Sequence, residues 1–421
     1  MSAVSKQADP AQAMTDLAAA ARQAARRLAQ STRAVRDAAL HEAAAALRRD
    51  ADAILAANAQ DLAASTATAA FRDRLTLTSA RVEAMADGLD AVAALPDPVR
   101  RVLAEWDRPN GLRLRRVATP IGVIGMIYES RPNVGADAAA LCLKSGNAVI
   151  LRGGSESLHS ARAIHASMRA GLRAAGLPEA CVQIVPDADR AHVAAMLGAA
   201  GLIDLIIPRG GRSLVERVQR EARVPVLAHA EGLCHTYVDA EADPEMARAI
   251  VANAKMRRTG ICGATETLLI DAACAAALLP QIVADLRALG CDFRADAAAR
   301  AIADLSAAAD GDFDTEWLDS VLSVAVVDGV EGALSHIARH GSGHTEAIVT
   351  GNEATARRFL DGTDSAVVMW NASTQFCDGG EFGYGAEIGI ATWRNHARGP
   401  VGLEQLSSFR TEVIGQGQTR P

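Results

Sequence analysis

From residue 11 to about 107, apolar residues recur at spacings of three and four, the period of an amphipathic helix. Met14 to Arg33, Val35 to Ala57 and Thr78 to Ala94 each carry such a stripe, with Arg, Asp and Glu on the remaining faces. The period changes after Asn110-Gly111. Leu112-Arg113-Leu114-Arg115-Arg116-Val117-Ala118 alternates with period two and reads as a half-exposed strand. From residue 121 the pattern becomes strand, turn, helix. Ile121 to Tyr128, Ala148 to Leu151, Val182 to Val185, Leu205 to Pro208 and Val226 to Ala228 read as buried strands. Between them lie helices at Asn133–Ser145, stopped by Gly146, and at Ser155–Ala175. Beyond residue 235 the alternation resumes with strands at Thr236–Asp239, Thr267–Ile270, Val321–Val327 and Glu346–Thr350 and a helix at Pro244–Met256. Apolar strands alternating with helices predict an α/β fold whose parallel sheets are covered on both faces. The tail from Gly379 is glycine-rich, and its stretch Gly379–Gly385 reads as a loop with close backbone approach.

Composition narrows the function. The chain has 421 residues, enough for two or three domains, and is 50% hydrophobic with only 3% aromatic residues, so alanine must fill much of the interior of closely packed helices. A net charge of −7 argues against a nucleic-acid binder but allows a local basic pocket for an anion. There is no basic-apolar leader and no uninterrupted apolar run of about 18 residues, so a cytoplasmic protein without a membrane span is expected. Seven cysteines at irregular spacing, without a CxxC pair, suggest neither a zinc site nor a disulfide frame, and no metal is expected.

One cysteine stands apart. Cys262 lies in Asn253-Ala254-Lys255-Met256-Arg257-Arg258-Thr259-Gly260-Ile261-Cys262-Gly263, followed by Ala264-Thr265-Glu266, which reads as a helix start. Cationic neighbours and a helix N-terminus both favour the thiolate, the nucleophilic form. Cys142 sits in an apolar run and reads as core, and Cys181, Cys234, Cys274 and Cys291 have apolar or unremarkable neighbours. Two further turns join a strand end, a glycine pair and a helix start. They are Arg152-Gly153-Gly154-Ser155, where Ser155 can cap the helix, and Arg209-Gly210-Gly211-Arg212, where a pyrophosphate or nicotinamide ribose could lie on Gly210 and Gly211. Neither is GxGxxG, and each is also readable as a capped tight turn. Asn133, in Tyr128-Glu129-Ser130-Arg131-Pro132-Asn133, can cap a helix or donate its amide to an oxyanion. Glu231, in His229-Ala230-Glu231-Gly232, is a solvated loop residue or a proton acceptor. Arg131, Arg258 and Arg398 are candidate clamps for an anionic substrate, with Ser373 and Thr374 for a carboxylate.

These segments resemble the aldehyde dehydrogenase superfamily, and within it the glutamate-5-semialdehyde dehydrogenase (gamma-glutamyl phosphate reductase) family. The matching stretches are Phe71–Pro98, Thr119–Ser155, Asp204–Asp239, Asn253–Ile270, Glu316–Thr350 and Phe376–Leu406, in that order. The resemblance implies an aldehyde dehydrogenase-like α/β fold. A Rossmann-type cofactor domain would span 1–108 and 123–234 with 371–388 returning to it, a catalytic α/β domain 235–370, and an oligomerisation hairpin and tail 109–122 and 389–421. It implies NADPH-dependent reduction of L-glutamyl 5-phosphate to the 5-semialdehyde through a thioester on Cys262. A homo-oligomer is implied, and a glutamate kinase is the candidate protein partner. It implies an oxyanion role for Asn133, adenosine-ribose and 2′-phosphate contacts at Arg152 and Ser155, and a nicotinamide-ribose contact at Glu316. Glu231 falls where hydrolytic members keep a general base. Two positions depart from the family pattern: Thr259 stands where proline is common, and Gly263 where asparagine is common. An NAD(P)-linked dehydrogenase of another semialdehyde is the alternative activity.

Overall fold

The structure is a computed structural model describing residues 9–65, 68–129, 131–228 and 231–420. Strands are numbered along the chain. The chain divides into two compact units, one of Met1–Ala228, Tyr384–Gly389 and Val401–Pro421, the other of His229–Gly383 and Ile390–Pro400.

The first unit holds two sheets. β1 (Val102–Asp107), β2 (Arg113–Pro120) and the C-terminal β15 (Ser407–Ile414) form an antiparallel sheet in the order β1-β2-β15. β3 (Val123–Tyr128), β4 (Ala148–Arg152), β5 (Val182–Ile184) and β6 (Leu205–Arg209) form a parallel sheet in the order β5-β4-β3-β6. The apolar stripe of the first helix, Pro10–Gln30, lays Met14, Ala18 and Ala21 on Val123, Ile127 and Ile150 of that sheet. Alanine does fill the interior. Helices Arg33–Arg49 and Leu158–Ala174 approach so closely that a Cβ on Gly171 would stand 2.5 Å from the Ala39 carbonyl oxygen.

The second unit is one six-stranded parallel sheet in the order β12-β11-β7-β8-β10-β9. The strands are β7 (Cys234–Val238), β8 (Thr265–Asp271), β9 (Asp292–Ala295), β10 (Val321–Val327), β11 (Thr345–Val349) and β12 (Val367–Trp370). Leu268, Ile270, Leu322 and Val324 pack one face against Leu278, Leu279 and Ile282. Tyr237, Leu269, Ala325 and Ile348 pack the other against Phe359 and Ile337. A two-stranded piece, β13 (Ile390–Ala391) with β14 (Gly399–Pro400), completes the unit. Burial on both faces is what makes β10 read as a continuous apolar run, whereas the short β9, with Asp292 exposed and Arg294 half-buried, gives no such signal.

Four sequence expectations change. Val35–Ala57 is two helices, Arg33–Arg49 and Ala51–Ala64, which part at Asp50, whose carboxylate is drawn off by Arg49 and Ser167. Residues 102–107 are strand β1, because the period-two strand β2 offers them an antiparallel edge. Val226–Ala228 makes a single bridge to Ile206 in place of a strand. Thr265 and Glu266 open strand β8, not a helix, because this segment is buried between β7 and β10.

Candidate functional site

In the first unit the chemistry-bearing turns all leave the C-terminal ends of parallel strands. Strand order reverses at β3, so the ends of β3 and β6 flank the switch point where such sheets bind ligands. Gly153 and Gly154 follow β4, and Gly210 and Gly211 follow β6. Gly153 is dictated by packing, since a Cβ there would meet the buried Tyr128 ring at 3.1 Å. A Cβ on Gly211 would meet only open space. This glycine precedes helix Arg212–Glu221, and its N–H is held by the Glu129 carboxylate at 3.2 Å.

Arg152 is only 8% exposed. Its Nη2 donates to the Ala188 carbonyl at 3.1 Å, while Nε is buried without a partner. Burial lowers its pKa, against the pull of Glu156 and Glu129. A buried guanidinium with an unanswered N–H suits the anionic groups of a phosphorylated dinucleotide. Ser155 lines a cavity of about 370 Å³ together with Asp61, Phe71, Glu156 and His159. It does not cap the next helix. Residues Ser155–Ser157 form a 3-10 turn, and the cap on Leu158–Ala174 is Asp61, whose carboxylate accepts from His159 N (3.1 Å), Ser160 N (2.8 Å) and Ser160 Oγ (2.5 Å). A larger cavity of about 610 Å³, lined by Arg22, Arg26, Arg100 and Arg410, contains none of the residues singled out.

Asn133 heads helix Val134–Lys144 without capping it through its side chain. Its Nδ2 donates to Asp137 Oδ2 at 3.0 Å. Burial pushes the Asp137 carboxyl up to about 6, with the Asn133 bond opposing. An ionised carboxylate only accepts, so it turns the NH₂ side of the amide towards itself and leaves that group a second hydrogen. Ser130 lies outside the described residues, as do His229 and Ala230.

In the second unit Cys262 sits on the loop between helix Pro244–Met256 and β8, half-buried and packed against Cys377 and Ile390. No helix begins there, so the expected helix-terminus contribution is absent. Nor is Lys255 available to it as free charge, because Lys255 is buried in an ion pair with Glu266. Arg257 and Arg258 remain exposed. Burial pushes other thiols up: Cys181 and Cys291 to about 12, Cys274 to about 11, and Cys142 and Cys234 upward as well. The Cys262 backbone is packed from behind. The Cys234 thiol donates to its carbonyl at 3.0 Å, and Gly232 lies directly against it. Gly232 N–H in turn donates to Glu316 Oε1 at 2.9 Å. Burial raises the Glu316 carboxyl, as does nearby Glu231, while the Gly232 N–H holds it down. The second unit thus gathers Cys262, Glu316 and the Glu231-Gly232 turn.

The substrate clamps fare differently. Arg398 is committed to Asp364, through its carboxylate at 2.7 Å and its carbonyl at 3.0 Å. Thr374 is buried in a hydroxyl chain with Thr265 and Thr236, and Ser373 bonds Gln375 N. Sequence reasoning missed Asp137, Gly232, Cys234 and the Lys255–Glu266 pair. Asp137 was within reach, since an Asn and an Asp four apart share a helix face. The others meet only through the fold.

Known proteins share this fold. The aldehyde dehydrogenase family model matches residues 3–309. A gamma-glutamyl phosphate reductase of Gluconobacter oxydans is 75% identical over 407 residues, covering 96% of this chain and 95% of the relative. One from Acidiphilium cryptum is 70% identical over 402 residues, covering 95% and 96%. The crystal structure of a gamma-glutamyl phosphate reductase from Thermotoga maritima superposes with a TM-score of 0.95 at 40% identity, covering 97% of this chain and 100% of the other. The aldehyde dehydrogenase-like α/β fold expected from the sequence is the fold found. The chain belongs to the aldehyde dehydrogenase family of oxidoreductases, among its gamma-glutamyl phosphate reductases.

Proposed function

We propose that the chain reduces L-glutamyl 5-phosphate to L-glutamate 5-semialdehyde and phosphate with NADPH, the second step from glutamate towards proline. The observation that carries this reading is Cys262. It is half-buried on a loop backed by Gly232 and Glu316, whereas burial keeps at least five of the other six thiols protonated. The relatives named above supply the substrate class.

The Cys262 thiolate attacks the acyl carbon. A C–S bond forms, and phosphate leaves with the electron pair of the C–O bond. The Asn133 amide, steered by Asp137, donates to the oxyanion along with the backbone N–H near Cys262. When bound, the nicotinamide supplies a hydride to the thioester carbonyl carbon. The C–S bond then breaks and Cys262 returns as thiolate while the aldehyde departs. Glu316 would accept from the nicotinamide ribose, Arg152 and Ser155 would hold the adenosine ribose and its 2′-phosphate, and Gly210 and Gly211 would serve the pyrophosphate or nicotinamide ribose. Reduction activates no water, so Glu231 has no base to supply in that direction. The acyl phosphate must come from a kinase acting on the side-chain carboxyl of glutamate.

The sheet β1-β2-β15 exposes Val102, Leu103, Trp106, Phe409, Val413 and Ile414, and a homo-oligomer would cover them. Seven cysteines that form no disulfide suit a cytoplasmic enzyme. Among the described residues no helix is long and apolar enough to cross a membrane.

The deciding experiment is NADP⁺ reduction by glutamate 5-semialdehyde, with and without phosphate. Strict dependence on phosphate is expected. Phosphate-independent oxidation to the free acid would replace this reading with an ordinary semialdehyde dehydrogenase.

A further inference from the structure

Two buried side chains beside the nucleophile loop have no part in the chemistry above. Lys255 lies in the last turn of the helix before the Cys262 loop, and Glu266 is the second residue of the strand after it. They are 0% and 1% exposed, with Nζ 2.5 Å from Oε2. An ion pair this deep costs more desolvation than an apolar pair of the same volume would, so stability alone does not account for it. The second Glu266 oxygen, Oε1, accepts the Leu318 N–H at 3.2 Å. Leu318 has φ +50, a left-handed conformation a leucine keeps only when its surroundings impose it.

Leu318 lies two residues beyond Glu316. Glu316 takes the Gly232 N–H, and Gly232 rests on the Cys262 carbonyl. Every link of this ring lies in the second unit: Cys262 loop, Glu266, Leu318, Glu316, Gly232, and back to Cys262.

We infer that Lys255 and Glu266 are positioning residues. They hold Leu318 in its left-handed turn and so set the spacing between the Cys262 loop and Glu316. Neither touches the reacting atoms. The inference rests on the proposed ribose role of Glu316 for its effect on the cofactor, and on geometry alone for its effect on Cys262.

Glutamine makes the test sharp. Glu266→Gln leaves one carbonyl oxygen for two donors, Lys255 and Leu318 N–H, and turns an NH₂ on the loser. In the full-length enzyme Glu266→Gln is expected to raise the KM for NADPH about tenfold, as small misplacements do, with the acyl-substrate KM unchanged. It should also change the rate at which iodoacetamide alkylates Cys262 without nucleotide. Adding Lys255→Met frees the amide oxygen for Leu318 and removes the unpaired cation, so the double variant should recover both values. In a Glu316→Ala background Glu266→Gln should add nothing to the NADPH KM. Full multiplication of the two KM effects, or wild-type alkylation with only a lowered Tm, overturns the inference. If Glu316→Ala alone leaves the NADPH KM unmoved, the ribose assignment falls, and the alkylation rates of the single and double variants decide the positioning role.

Discussion

Gly232 lies so close to Cys262 that a Cβ on it would fall on the Cys262 carbonyl. The glycine is therefore required by the approach of two backbones, and the pressure of a methyl group would be passed to the nucleophile loop. Gly232→Ala is expected to lower kcat about 100-fold, with an overpacking cost of about 1–3 kcal/mol visible in urea denaturation. Wild-type kcat in this variant would mean that the loop yields freely.

Cys262→Ser is expected to remove at least about 10³-fold of the turnover, as loss of a covalent nucleophile does. Cys274 is the control. It is half-exposed but its pKa is pushed up to about 11, so Cys274→Ala should keep full activity. Mass spectrometry after brief iodoacetamide treatment at neutral pH should find Cys262 modified well ahead of Cys274.

Asp137 gives a pH signature. Its folded pKa, about 6, exceeds the ordinary carboxyl value, so between about pH 4 and 6 the folded state binds more protons than the unfolded state. Stability linked to this group is present below about pH 4 and is lost as pH rises through about 6. Asp137→Asn removes that loss, so its Tm relative to wild type should be higher at about pH 8 than at about pH 4. Its kcat should still fall, because an amide at 137 no longer dictates which way Asn133 turns. A Tm difference that does not vary with pH would show that Asp137 ionises normally.

Arg152→Ala should discriminate between cofactors. Loss of a charge-assisted contact worth about 1.5–3 kcal/mol would raise the NADPH KM about 10- to 100-fold and leave the NADH KM nearly unchanged. Equal effects on both nucleotides would place Arg152 away from a 2′-phosphate.

Asp61 caps a helix that begins 97 residues later in the chain, and the residue is only 3% exposed. Asp61→Ala should cost about 1–2 kcal/mol of stability, the usual range for a lost cap, read as a lower thermal midpoint. Ser155→Ala should not, since Ser155 makes no cap bond.

Much of this molecule was legible in residue order, for identifiable reasons. Strands buried in a sheet, such as Val123–Tyr128 and Val321–Val327, announce themselves as apolar runs, and Cys262 stands out by its basic neighbours. What stayed hidden was long-range. The carboxylate that caps the helix after Ser155 comes from Asp61, so the local serine looked sufficient. Glu266 looked like a helix-opening residue because Gly263-Ala264-Thr265-Glu266 resembles a capped start. Only the neighbouring strands β7 and β10 make that segment extended. Lys255 looked like a charge offered to the thiol, and its partner lay across the loop.

Strand β2 is held on one side by β15, which pairs with it from Pro120–Ser407 to Arg113–Ile414. During synthesis that flank therefore stays bare until Ser407–Ile414 has left the ribosome. A copy terminated before Ser407 would carry an open strand edge with unanswered backbone groups, a ready handle for chaperones, proteases or aggregation. Closure of this sheet thus waits on a segment remote in sequence from the strand it completes.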